Sequence, residues 1–197
     1  IRLRPVVAVG ALAALAGVLV AVAPNTVEAT ELARSVSGAK AVRPAFSSNE
    51  LQLPAVVVDL SDRVAAAVPE EMAEAIGRDV TEDLAIVAQA RRDRRVDLLA
   101  TAAAEAELAS LERELRSDLR AGTVDVTTYS LTRITISIAR RIGQGPPAIM
   151  VTMTGTKTSS SDQRRSRPVH ETYEVKWDGG HYLLVTDDLP LGFTPPR

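Results

Sequence analysis

Residues 108–138 read LASLERELRSDLRAGTVDVTTYSLTRITISI, and within them the hydrophobic period changes once, at Gly122. Before that glycine, Leu108, Leu111, Leu115 and Leu119 recur every three or four residues, which places them on one face of a helix. Glu112 and Arg116 stand one turn apart there as a favourable pair, and Gly122 supplies the stop. After it, Ile134, Ile136 and Ile138 alternate with Arg133, Thr135 and Ser137, the pattern of a strand with one buried face. Helices that hand over to strands, instead of alternating with them, specify an α+β fold.

Working outward, Ile149, Val151 and Met153 repeat the strand pattern, followed by Val169, Tyr173, Val175 and Trp177 and by the short run His181 to Val185. Gly145-Pro146-Pro147 separates the first two strands, and Asp178-Gly179-Gly180 is a tight hairpin signal between the last two. The expectation is a curved antiparallel meander with helices covering one face. Upstream, a helical region begins near Ser61, and Pro69-Glu70-Glu71 has the chemistry of a helix first turn. Met72, Ile76, Val80, Leu84 and Val87 then mark one helical face. Two readings fit: one long helix, or two that break near Gly77, with Asp79-Val80-Thr81-Glu82 as the capping box of the second.

The N-terminus is different in kind. Residues 6–23 (VVAVGALAALAGVLVAVA) are an uncharged apolar run, long enough as a helix to approach the roughly 30 Å of a hydrocarbon core. Arg2 and Arg4 precede it and no basic residue follows until Arg34, so the positive-inside bias predicts a cytoplasmic N-terminus. The rest of the chain is expected outside the inner membrane. A cleaved signal peptide competes with this reading, but its apolar region is usually shorter. Ala21-Val22-Ala23 would require cleavage before Pro24, and Val27-Glu28-Ala29 lies far downstream. The predicted organisation is therefore an anchor (residues 1–23), a Pro- and Ser-bearing linker (24–58) with a short extended piece at Ala55–Val58, an α+β domain (59–190) and a tail (191–197).

Composition narrows the function classes. A chain of 197 residues has room for one ordinary domain and little else. Its formal charge of −2 gives no footprint for nucleic acid. With no cysteine, disulfides, thiol catalysis and cysteine-held metals are excluded. Only Lys40, Lys157 and Lys176 contribute lysine to the basic residues, an arginine bias that points to a GC-rich bacterial genome.

Candidate chemistry is sparse. Asp79 and Asp83 lie one helical turn apart, so a pair of carboxylates in an apolar setting could perform acid/base work. Helix capping and the dipole account for both residues without catalysis, and that reading is preferred. His170 and His181 fall on predicted strands near Glu171 and Asp187, but two separated histidines do not make a metal site, and they are read as exposed strand residues. Gly155-Thr156-Lys157-Thr158 lacks the upstream glycine of a phosphate loop. No catalytic, cofactor-binding or metal residue is assigned. The interaction candidates are Arg164, Arg165 and Arg167, in a polar connection between strands where a solvated loop is the plainer reading, and the aromatics Tyr173, Trp177 and Tyr182, which could form an exposed contact surface, although core packing has an equal claim on at least Trp177.

The basic-acidic turn RRDRR at residues 91–95, VDLLATAAAEAELASLERELRSDLRAG after it and the closing strands YEVKWDGGHYLLVTDD together resemble the nuclear-transport-factor-2-like superfamily over roughly residues 79–188. Within it the chain is similar to single-pass types: membrane proteins associated with mammalian-cell-entry transporters, Tim-type import domains and bridging subunits of type IV secretion systems. The resemblance implies a cone-shaped domain of helices on a curved sheet. His181-Tyr182-Leu183 departs from the commoner Arg/Lys-Trp pattern after the Gly-Gly turn, so no family residue roles carry over. The functional expectation is a non-catalytic accessory subunit of a bacterial envelope complex, with other membrane subunits as partners and the bilayer held through residues 6–23. The alternative is a small-molecule-binding or isomerase-like enzyme that uses the cone interior, with Asp83 or a histidine as base.

Overall fold

A computed structural model describes residues 41–47, 50–59, 68–139, 147–162 and 165–186. The chain divides into two units, Ile1–Gly38 and Ala39–Arg197, and every described residue belongs to the second. The apolar run 6–23 with Arg2 and Arg4, the expected helix start near Ser61, Arg164 and the tail 191–197 lie outside the described residues. Among those described, no helix is long and apolar enough to cross a membrane.

The element order is β1 (Ala55–Val58), α1 (Glu70–Asp93), a 3-10 segment (Val96–Thr101), α2 (Glu105–Ala121), β2 (Thr127–Ala139), β3 (Ala148–Ser159), a single 3-10 turn (Ser160–Asp162), β4 (Arg167–Trp177) and β5 (Tyr182–Thr186). This is the expected α+β class. Helix α2 ends as its sequence implied: Gly122 takes the left-handed conformation (φ 71°), and its N–H closes onto the last-turn carbonyls. Glu112 and Arg116 pair at 3.1 Å along its surface.

Five strands form one sheet in the order β1-β2-β3-β4-β5. Strands β2 to β5 are antiparallel neighbours, as expected, but β1 joins β2 in parallel, so the sheet is mixed and not wholly antiparallel. The parallel pairing has the connection it requires: β1 precedes both helices, and they form the long crossover to β2. At the other edge, β5 is met by the chain between the 3-10 segment and α2, where Ala104 N–H donates to Leu184 O at 2.8 Å and Leu184 N–H to Ala102 O at 3.2 Å.

Two glycines mark close approaches. Thr132 is the extra residue of a bulge in β2, since Leu131 pairs with Gly155 and Arg133 with Thr154. A Cβ on Gly155 would run into the Ser130 carbonyl and Leu131 Cα, so this glycine serves the close approach of β3 to the β2 bulge, not a phosphate loop. Gly77 lies inside an unbroken α1, which settles the helix reading in favour of one long helix. It is there because β1 packs onto that spot: a Cβ would overlap Val56 Cγ2.

Helix α1 is wedged between two apolar clusters. Ile76, Val80 and Leu84 meet Ile134, Ile136, Val151, Met153 and Leu184 of the sheet. Ile86 and Ala90 meet Val96, Leu98, Leu99 and Leu115 on the other side. Each such aliphatic side chain removed from water contributes about 1.5–3 kcal/mol, which explains why the 24-residue helix is held along most of its length. Part of the stretch read as linker belongs to this packing: Ala41 and Phe46 lie on the second cluster, and Val56 and Val58 on the first. Its irregular composition conceals the packing because isolated side chains, without a period, make the contacts.

The Gly77–Val56 contact gives a signed prediction. Alanine in place of a helical glycine normally gains about 1 kcal/mol, but Gly77→Ala is expected to destabilise the protein by about 1 kcal/mol through overpacking. In a Val56→Ala background the same change should stabilise. Urea denaturation of the four proteins checks this, and additive effects would refute it.

A candidate site around Asp83

Asp83 falls on the stripe set by Ile76 and Val80, three residues after the latter, and the continuous helix turns it inward. It is 0 % exposed. The N-cap reading of Asp79 and the first-turn reading of Asp83 both fail, because the helix starts nine residues before Asp79, at Glu70. Both carboxylates are instead mid-helix groups with tertiary partners.

Those partners come from opposite ends of the described chain. Arg43 Nη1 donates to Asp83 Oδ1 at 2.7 Å and to the Thr101 carbonyl oxygen, and Nη2 reaches Glu82 Oε2 at 3.3 Å. Asp79 Oδ2 accepts the Tyr182 backbone N–H at 2.9 Å, which fixes the start of β5. Thr101 also anchors its own segment, its hydroxyl donating to the Leu98 carbonyl at 2.8 Å. Asp83 Oδ2 is buried and has no hydrogen-bond partner among the described residues. Burial pushes the Asp83 carboxyl well above the ordinary carboxylate range; Arg43 opposes that shift, while Asp79 and Glu82 add to it.

His181 lies at this site but not on a strand. It occupies the turn just before β5, with Nε2 3.3 Å from the Thr101 carbonyl oxygen and Nδ1 3.3 Å from Asp178 Oδ1. Asp178 Oδ1 also accepts the N–H groups of Gly180 and His181, closing the hairpin that the Asp-Gly-Gly signal implied. His170 is exposed on β4, remote in the sheet register from this turn. Among the described residues no group of three His, Cys, Asp or Glu side chains could hold a metal ion.

The interaction candidates separate. Trp177 is 53 % exposed at the end of β4, beside the hairpin turn, and leans on Tyr182 with ring centroids 5.1 Å apart. Tyr173 and Tyr182 are buried in the main core, so neither offers a contact surface; their alternation positions turn them toward the helices. Arg165 and Arg167 are exposed, and Arg167 pairs with Asp162 at 3.3 Å.

Two further polar groupings serve the fold. Lys157 Nζ meets Glu171 Oε1 at 2.5 Å, and the Tyr173 hydroxyl donates to Glu171 Oε2 at 3.4 Å. Nearby, burial and then the Glu171 charge push the Tyr129 hydroxyl up to about 12, which keeps it neutral. Asp125 accepts the hydroxyls of Ser159 and Ser160 and the Ser161 N–H; the Ser159 bond contributes most to holding its carboxyl down at about 2.

Arg43 and Thr101 carry the site and had no signal of their own. Arg43 sits in an irregular Pro- and Ala-bearing stretch 40 residues from Asp83, and Thr101 contributes a backbone oxygen. The detectable clue was Asp83 itself, a carboxylate on an apolar stripe, which requires a buried cation.

Fold and site together define an α+β domain with a mixed five-stranded sheet and an ion pair between the buried Asp83 of α1 and the partly buried Arg43 of the irregular segment ahead of β1. No family model and no curated protein matches the chain. Among solved structures it has a distant likeness to the intermembrane space region of the chloroplast protein ARC6, at 17% sequence identity and a TM-score of 0.41. That alignment covers 60% of this chain and 93% of the other.

The raised Asp83 carboxyl fixes a sign. A carboxyl raised by folding contributes stability below its unfolded value near 3.9, and this is lost as pH rises through the folded value. Arg43→Ala removes the opposing cation, so its cost is expected to be larger at pH 8 than at pH 4, by at most about 3–5 kcal/mol. The Arg43→Ala/Asp83→Asn double variant should lose that difference. Denaturant titrations at the two pH values check it, and an equal cost at both would contradict it.

Proposed function

We propose that the chain is a membrane-anchored, non-catalytic accessory subunit of a bacterial envelope complex, built on a nuclear-transport-factor-2-like domain and acting by protein–protein contact. The observation that carries this reading is how α1 uses its carboxylates. Asp83 is ion-paired with Arg43 and sealed from solvent, and Asp79 holds the backbone of β5. A general base must reach a substrate proton, directly or through one water, and both acids are engaged within the domain. The most exposed aromatic among the described residues, Trp177, stands beside a hairpin turn and next to the exposed Lys176, a composition suited to a contact anchor.

The apolar run 6–23 behind Arg2 and Arg4 supports the anchor and an extracytoplasmic domain. Tethering would raise the effective concentration of the domain at the membrane, so single contacts can be weak. The helix, 3-10, helix order followed by the β2–β5 meander supports the superfamily reading.

The test is affinity purification of tagged full-length protein from native membranes. Membrane subunits are expected at stoichiometric levels, and Trp177→Ala should reduce their recovery at least about tenfold, as loss of an interface anchor costs 2 kcal/mol or more. The variant's thermal midpoint should stay within about 2 °C of the parent, because the ring is half exposed. Protein that purifies alone would overturn the reading.

A further inference from the structure

The acceptors around the Arg43 guanidinium come from two elements and exceed the contacts it makes. Asp83 Oδ1 and Glu82 Oε2 reach it from α1, and the Thr101 carbonyl oxygen reaches it from the 3-10 segment. Asp83 Oδ2 is sealed in the same wall without a partner among the described residues. A guanidinium carries five N–H donors in a planar fork and matches a carboxylate best through two parallel bonds. Arg43 engages Asp83 through one nitrogen and one oxygen, so the site offers more than its occupant uses.

An ammonium fits less well. The three acceptors are distributed across Nη1 and Nη2, which a planar two-nitrogen group spans and a point charge does not. The occupant also arrives on a short segment, residues 41–47, whose other anchors in the second cluster are Ala41 and Phe46. We propose that Asp83, Glu82 and the Thr101 carbonyl form a guanidinium-binding site, and that Arg43 is a ligand for it supplied by the same chain.

Removal of the Arg43 side chain should then leave a site that a free guanidinium refills. In full-length Arg43→Ala, 10 mM ethylguanidinium is expected to raise the thermal midpoint by about 3 °C, the linkage expected of a millimolar ligand. Ethylammonium at equal ionic strength should give less than about 1 °C, since its charge is the same and its donors do not span the acceptors. The parent protein, its site filled, and the Arg43→Ala/Asp83→Asn variant, its carboxylate gone, should not respond. An equal shift with ethylammonium, an equal shift in the double variant, or no shift in Arg43→Ala overturns the proposal. If Arg43→Ala does not fold, Arg43→Gln takes its place, with the same outcomes deciding.

Discussion

A carboxylate at the centre of the domain has to be compensated, and much of the architecture follows from that constraint. Moving an isolated ionised group out of water costs several kcal/mol even after the protein relaxes, and Asp83 is fully enclosed. Its cation comes from a segment ahead of β1, and the acceptor that shares that cation comes from the 3-10 segment. Arg43 thereby ties the segment ahead of β1 and the 3-10 segment to helix α1. Apolar burial drives α1 inward on two sides, while the ion pair decides which irregular segment lies across it.

The outline of this fold was legible because most of its elements obey a period. The leucine stripe of α2, the glycine that ends it, the alternating isoleucines of β2 and the Asp-Gly-Gly turn all use local chemistry, and each stands where that chemistry placed it. Two features were hidden for a shared reason. Val56 in β1 and Arg43 make contacts with partners far along the chain, and no local pattern records them. Gly77 illustrates the cost: read locally it is a helix breaker, whereas in three dimensions it is the space that β1 needs.

The candidate site was half legible. Asp79 and Asp83 drew attention through their spacing, yet capping explained them equally well, because an acid near a helix start and an acid inside a helix look alike until the start is known. Once α1 is seen to begin at Glu70, the dipole argument lapses and only tertiary partners remain. Tyr173 and Tyr182 show the complementary error. An aromatic on an alternating strand has one face to choose, and both of these take the helix-covered side, while Trp177, beside the turn, stays half in water.

Asp79 and Asp83 divide their work along one turn of α1. The first receives the N–H that begins β5, the second the guanidinium of a residue that precedes β1, so one helical turn fastens both ends of the sheet's chain path. The Asp79 charge adds to the upward push on the Asp83 carboxyl. The turn tolerates both because each has its own donor, one a backbone amide and one a cation. The two donors are not equivalent: a backbone amide carries no net charge, so it could not neutralise the sealed carboxylate as Arg43 does.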